Sequence, residues 1–340
     1  MITRLLRSIL LLFVLCTANA FSNIQSRPVI IDTDIGFDDL LAITYLLQQP
    51  TIDVKAITIA ATGETPCNPG YVNLKRMLKK LGKANIPVHC GRATPLRGKH
   101  QFPSEWSPFQ TNVDSRLMQT KINARTAITQ LLSDAKQSYD IIALGPLTNI
   151  GEVMQKSPQL AHKIHRLYIM GGAVHVAGNL RIANKNLNHT AEWNIYIDPY
   201  AASLVFKSQL PITLIPLDVT NTVRLPPHFY SQLKYSRTKP AITLLQLFHS
   251  LPTVVSKAME TTDWYAWDSL AAVIAIHPQY ALIKAEKLNV IINPDHDSGT
   301  LYLDQKQGKT VNVCYALDKP KFMSSLNSAL TRGNRVKSGQ

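Results

Sequence analysis

The sequence predicts an α/β domain built on an open, mostly parallel sheet flanked by helices. Three observations carry that expectation. Short apolar, β-branched runs of strand length alternate with stretches of helical periodicity along the chain. Turn signals such as Gly36, Gly82 and Gly145-Pro146 separate the two kinds of segment. No internal repeat, low-complexity linker or shift in composition divides the chain, so residues 21–330 read as one domain with a large core.

Residues 1–20 have the order of features of an export signal. Arg4 and Arg7 give a basic start, Ile9 to Val14 an apolar centre, and Ala18-Asn19-Ala20 a small-residue cleavage site before Phe21. The apolar run is too short to span a bilayer. Leu15 stands before Cys16 where a lipid-anchor signal needs a small residue. The expectation is therefore an exported chain, periplasmic or secreted, with residues 331–340 a loose polar tail. No later stretch reads as membrane-spanning. A formal charge of +14 would suit nucleic acid or an anionic surface, but the basic residues are scattered and no nucleic-acid motif accompanies them. A solvated surface explains them, and no specific nucleic-acid partner is expected. Cys67, Cys90 and Cys314 lack zinc spacing. An oxidising compartment would allow a Cys67–Cys90 disulfide and leave Cys314 free.

The first strand is Val29 to Ile31, and Asp32, Asp34, Asp38 and Asp39 follow it closely. Gly36 breaks the strand, and Leu40, Leu41, Ile43, Leu46 and Leu47 then recur at helical spacing until Pro50. The carboxylates thus fall at the carboxyl end of a strand and in the first turn of a helix, the usual ligand crevice of an α/β sheet. An aspartate at a helix start is by itself an ordinary cap, which accounts for Asp38 and Asp39. It does not account for Asp32 and Asp34 beside a buried strand. Like charges ~4 Å apart repel by roughly 4 kcal/mol at an effective dielectric near 20. Such a cluster implies raised pKa values or a cation, and all-oxygen donors favour Ca²⁺ or Mg²⁺.

The run Asp32-Thr33-Asp34-Ile35-Gly36-Phe37-Asp38-Asp39 resembles the D-x-D-P-G-x-D-D signature of the inosine-uridine preferring nucleoside hydrolases, with Ile35 in place of the usual Pro. The remaining elements supply further matches in order. Val54 to Ala60 reads as a strand ending at Thr62-Gly63-Glu64, where Glu64 stands near the family's usual Asn. Tyr71 to Leu81 reads as a helix ended by Gly82, and Ile86 to Cys90 as a short strand. Residues 91–108 are turn-rich and read as a lid carrying His100, Glu105 and Trp106. Tyr139 to Leu144 is a strand followed by Gly145-Pro146-Leu147-Thr148-Asn149, with Thr148 or Asn149 as cap of the next helix. This resembles the family's G-P-L-T-N segment, whose residue before the glycine, here Leu144, offers its main-chain carbonyl to the metal.

His165 to Met170 is a strand leading to Gly171-Gly172, similar to the family's M-G-G, where the Met lies near the ribose. Ala191-Glu192-Trp193-Asn194, with Asp198-Pro199, resembles A-E-F-N-x-x-x-D-P. Glu192 and Asn194 alternate with apolar neighbours as though on one face, and Asp198 caps a helix begun by Pro199. Asn179 is the candidate third sugar ligand, at a longer separation from Glu192 than is usual. Ile212 to Pro216 is a strand, and Pro226 to Lys257 is mainly helical. Asp268 matches the last metal carboxylate, but Trp267 replaces the family His associated with protonating the leaving base. Strands are expected over Leu288 to Ile292 and around Leu301 and Val311, and a last helix over Pro320 to Leu330.

The resemblance implies the family's Rossmann-like single-domain fold and a Ca²⁺-dependent N-ribohydrolase taking a small-molecule nucleoside. Asp34, Asp39, Asp268 and the Leu144 carbonyl would hold Ca²⁺, which would orient a water and lower its pKa. Asp34 and Asp38 would be the catalytic residues, Asp34 as general base and Asp38 on a sugar hydroxyl. Glu64, Met170, Asn179, Glu192, Asn194 and Trp267 would line the substrate, and Asp32 would brace the carboxylates from behind. The role implies purine or pyrimidine salvage, and relatives are often homo-oligomers. Three other readings stay open at this point. A metal-dependent phosphatase using Asp32 and Asp34 wants a hydroxyl residue where Ile35 and Gly36 stand. A nucleoside-binding envelope protein without turnover accommodates Trp267 and Glu64. A nucleic-acid binder predicts strongly salt-dependent affinity for polymer.

Overall fold

The computed structural model describes residues 26–107, 109, 120, 122–249, 257, 260–293 and 297–332. The export signal and the polar tail lie outside the described residues, save its first two, as does most of the segment from 250 to 259.

A nine-stranded sheet runs through the molecule in the order β10-β9-β11-β6-β5-β4-β1-β2-β3. Its central strands are β1 (Arg27–Thr33), β2 (Ile52–Ile59), β3 (Val88–Cys90), β4 (Tyr139–Ala143), β5 (Ile164–Met170) and β6 (Ile212–Ile215), all parallel. β11 (Lys309–Leu317) continues the parallel order beside β6, while β9 (Ala281–Val290) runs antiparallel to both β11 and β10 (Leu301–Leu303). The mostly parallel α/β fold is therefore as the sequence predicts.

Burial follows from the strand period. On β1, Val29 and Ile31 pack into one hydrophobic layer and Ile30 into the layer on the opposite face. A strand buried on both faces needs a continuous apolar run, which is what residues 29–31 supply. The first layer is closed by α1 (Phe37–Leu46), α9 (Lys239–Phe248), α10 (Trp267–Ile276) and α11 (Lys319–Thr331). The second contains α3 (Ala124–Ser133), α4 (Thr148–Lys156) and α6 (Pro199–Lys207). In it Gly151 meets Ala201 so closely that an added Cβ would lie 2.7 Å from the alanine's own.

Several elements differ from the sequence reading. The helix expected over 71–81 begins earlier, as α2 (Cys67–Lys80), and stops before Gly82, whose φ is +73°. The predicted cap at Thr148 or Asn149 is wrong: both lie in the first turn of α4, their side chains turned to Asp198 and Asp32. Glu192 and Asn194 face one cavity, but across a helix start and not along a strand. Glu192 caps a short helix, α5 (Trp193–Ile197), accepting from the amides of Asn194 and Ile195. The sequence reading contains neither α3 nor the small antiparallel ribbon of β7 (Arg224–Leu225) and β8 (Trp264–Tyr265). Between α6 and α9 lie the short α7 (Leu217–Thr220) and α8 (Pro227–Tyr235). Cys67 and Cys90 are bridged, their Cα atoms 5.8 Å apart, and Cys314 is buried and free.

Candidate active site

The carboxyl ends of β1, β2, β4 and β5 open onto one cavity of about 560 Å³. Every site residue named from the sequence lines it except Asp32, which is fully buried beneath. Their gathering follows from the parallel register. Asp32 pairs with Thr58 of β2 on one side and Ala143 of β4 on the other, so the loops after all three strands emerge side by side.

Asp34 sits in a slot between two glycines. A Cβ on Gly63 would lie 2.2 Å from that of Asp34, and one on Gly145 would lie 2.8 Å away. Its carboxylate accepts from the Glu64 amide at 3.1 Å and contacts Asp39. The next residue, Ile35, has φ +57°, a left-handed conformation that is rare for a β-branched side chain. The Thr33 hydroxyl accepts from its amide at 3.1 Å, and Thr65 donates to its carbonyl at 2.8 Å. Proline, fixed near −65°, does not fit this backbone, so the departure from the family motif at Ile35 goes with a different local path.

Asp39 accepts from the Thr33 hydroxyl and from the Gly36 amide, the latter at 2.9 Å, closing the first turn of α1. α10 packs against α1 and places Asp268 opposite Asp38, whose carboxylate accepts from the Asp268 amide at 3.2 Å. One oxygen from each of Asp38, Asp39 and Asp268 lies within 4.8 Å of the others. Asp32 is held from below by Asn149 at 2.8 Å and by Thr58, and its second oxygen has no partner.

The electrostatics follow from burial without compensation. Burial drives Asp34, Asp268 and Glu64 well above the usual carboxylate range, and neighbouring carboxylates add to it. Burial pushes Asp38 up to about 7, with repulsion from Asp39 contributing, and raises Asp39 as well. Asp32 also reaches about 7 through burial, although its hydrogen bonds pull the other way. Oxygens sharing one Ca²⁺ at ~2.4 Å are separated by at most roughly 5 Å, so the aspartate trio fits a divalent cation, and its all-carboxylate donor set is of the hard kind such ions prefer. An acidic group able to bind a metal ion is thus present.

Opposite the carboxylates, Asn194 Nδ2 donates to the Leu144 carbonyl at 2.9 Å and to the Met170 carbonyl at 3.2 Å. Glu192 accepts from the Gly172 amide at 2.8 Å besides its capping bonds, and burial outweighs those bonds to lift it to about 7. Asn179 is brought in despite its sequence distance. The amides of Gly178 and Asn179 donate to the carbonyls of His189 and Ala191, pinching the loop's ends together, and its side chain accepts from the Trp193 amide at 3.1 Å.

Aromatic rings form the upper walls. Trp193 stacks on Phe102 at 4.9 Å and meets Trp106 edge-on at 5.2 Å; across the cavity Phe37 packs on Trp264 at 5.1 Å. Trp267 stacks on Tyr265 at 4.9 Å and donates its indole N–H to Asn221. Of the expected lid residues, Glu105 and Trp106 line the cavity, whereas His100 stacks on Tyr196 and is not part of its wall. Sequence reasoning missed Phe37, Trp264, Tyr265 and Asp263 as wall residues. The dense aromatic run at 264–267 was the available signal for Trp264 and Tyr265.

Fold and site together define an α/β protein with a polyacid, aromatic-walled pocket at the sheet's carboxyl edge. The family profile described as "Inosine-uridine preferring nucleoside hydrolase" matches residues 29–324, and the chain belongs to that family. It is 33% identical over 211 residues to the pyrimidine-specific ribonucleoside hydrolase RihA of Escherichia coli O1:K1, and 34% identical over 211 residues to that of Citrobacter koseri. Each alignment covers 59% of this chain, and the chain spans about 63% of the length of those relatives. Among solved structures it is similar to a plant nucleoside hydrolase, the PpNRh1 enzyme, with a TM-score of 0.79 and 27% identity, covering 90% of this chain and 99% of that one. The structure of a Bacillus anthracis inosine-uridine preferring nucleoside hydrolase shares the fold, with a TM-score of 0.74 and 23% identity, covering 90% and 99% of the two chains.

Proposed function

We propose that the protein is a Ca²⁺-dependent ribonucleoside hydrolase that releases ribose and free base by hydrolysing the N-glycosidic bond. The observation that carries this reading is the convergence of Asp34, Asp38, Asp39 and Asp268 in one cavity with Asn194 and Glu192 facing them. Asp34, Asp39, Asp268 and the Leu144 carbonyl would hold the ion, with Asp38 close enough to share it. When bound, Ca²⁺ supplies the charge that orients a water and the ribose diol and makes that water more acidic. Asp34 takes the water's proton, and its slot between Gly63 and Gly145 leaves it little freedom to turn away. Asp38, Asn194 and Glu192 hold sugar hydroxyls. The surrounding carboxylates stabilise positive charge developing on the ribose as the bond to the base breaks. Glu64, Met170 and Asn179 complete the sugar pocket, and Trp267 borders the base.

Residues 1–20 and the Cys67–Cys90 bridge support export to an oxidising compartment, periplasmic or extracellular. No described helix is long and apolar enough to cross a membrane. Ribose release from inosine, uridine and p-nitrophenyl riboside, with and without Ca²⁺ chelation, tests the reading. Turnover abolished by chelation and by Asp34→Ala is expected. Binding without turnover of any of the three would identify a nucleoside-binding protein instead.

A further inference from the structure

The chain carries 36 Lys and Arg residues and a formal charge of +14, yet no Lys, Arg or His is among the described residues lining the cavity. Its upper wall is aromatic: Phe37, Phe102, Trp106, Trp264, Tyr265 and Trp267. Two exposed carboxylates, Glu105 and Asp263, also line the cavity, next in sequence to Trp106 and Trp264. Arg224 lies over the Tyr265 ring at 4.7 Å and donates to its hydroxyl, but is not part of the lining.

No imidazolium, ammonium or guanidinium on that wall can protonate a departing base, which leaves as an anion unless it receives a proton or a strong hydrogen bond; the Tyr265 hydroxyl, which accepts from Arg224, is a neutral donor there. Trp267 gives its indole N–H to Asn221, and the indole nitrogens of Trp193 and Trp264 are buried without reaching the cavity surface. Aromatic faces with nearby carboxylates are, by contrast, the chemistry that recognises a delocalised organic cation. We infer that the pocket selects ribonucleosides whose base bears a fixed positive charge on a quaternised ring, such as a pyridinium or N7-alkylpurinium riboside.

The inference rests on the hydrolase reading for its chemistry. In the step, the C1′–N bond breaks and its electron pair passes to the ring nitrogen, which cancels the charge of the base. Water oxygen bonds to C1′, and the proton it gives up passes through Asp34 to solvent. Ribose, a neutral base and one proton result, and no acid is needed on the leaving group. The family His replaced by Trp267 is then unnecessary, and a flat indole takes its place.

The test compares 7-methylguanosine with guanosine, and nicotinamide riboside with p-nitrophenyl riboside, using the full chain with Ca²⁺. Cationic ribosides are intrinsically more labile, so KM and the Kd read by tryptophan quenching are the deciding quantities. The cationic member of each pair is expected to bind at least about tenfold tighter than its uncharged counterpart. Glu105→Gln and Asp263→Asn should each raise KM for 7-methylguanosine about threefold or more relative to KM for p-nitrophenyl riboside, whereas Trp106→Leu, which removes a stacking face, should raise both. Equal affinity for charged and uncharged members overturns the inference even if p-nitrophenyl riboside is cleaved. If no riboside is cleaved, the hydrolase reading fails, while the paired Kd values still decide the preference for charge.

Discussion

Asn194 Nδ2 donates to both the Leu144 and the Met170 carbonyls, so one side-chain amide ties the first turn of α5 to the ends of β4 and β5. Leu144 O is also the proposed main-chain metal ligand, which makes Asn194 a joint between the sugar side and the cation side of the cavity. Asn194→Ala leaves two buried carbonyls short of a donor and should cost about 1–3 kcal/mol of stability. Metal affinity should weaken along with KM. Denaturant titration and Ca²⁺-dependent melting of the variant measure the two effects.

Removing a carboxylate should stabilise the metal-free protein. Asp268 is buried against Asp38 and Asp39. Asp268→Asn relieves that repulsion, raising Tm without Ca²⁺ by about 1–3 °C, at roughly 1–2 °C per kcal/mol for a chain of this size. Activity should fall at least about a hundredfold, since one donor of a preorganised site is lost. A lower Tm in chelator would contradict the view that these groups repel.

Ca²⁺ should raise the melting temperature of the wild type. Ligand at a hundred times its Kd stabilises by about 2.7 kcal/mol, which corresponds to roughly 3–5 °C here. Calorimetry with and without chelator measures it, and Mg²⁺ at equal concentration tests ion choice.

The metal-free protein should be most stable on the acid side of neutrality. Asp32, Asp38 and Glu192 each titrate near 7 when folded, above ordinary values of 3.8 and 4.5. The folded chain therefore binds protons more tightly than the unfolded one. The resulting stabilisation is complete below the ordinary carboxylate range and is lost as pH rises through about 7. Melting at pH 5.5 and pH 8 in chelator should show the higher Tm at the lower pH.

The Cys67–Cys90 bridge closes a separation of 23 residues between α2 and β3. By chain-entropy arguments its loss costs about 3 kcal/mol. Cys67→Ser should lower Tm by about 3–6 °C without changing KM.

Much of this was legible in the residues. The strand period placed both core layers, and the acidic run after Ile31 placed the metal side of the site, because local spacing sets which end of a strand a side chain occupies. What local pattern could not carry was contact across long separations. Trp264 and Tyr265 reach the cavity through pairing of two short strands nearly forty residues apart, Arg224–Leu225 and Trp264–Tyr265. The alternation of polar and apolar residues put Glu192 and Asn194 on one face, where both line the cavity, but said nothing of the backbone between them. The carboxylate's ability to cap three backbone amides decided for a helix turn. Ile35 gave no hint of its left-handed backbone, since the hydroxyls that bond its amide and carbonyl come from Thr33 and from Thr65, thirty residues away.

The two glycines beside Asp34 also set a limit on how the protein can be varied. Replacing glycine with alanine is a routine way to stiffen a loop, yet at Gly63 and Gly145 even a methyl group would occupy the place of the aspartate itself. Asp34 is held by what its neighbours lack. Any variant library that treats these two positions as free will consist, at those sites, almost entirely of inactive members, and thermostabilising changes must be sought elsewhere in the loops.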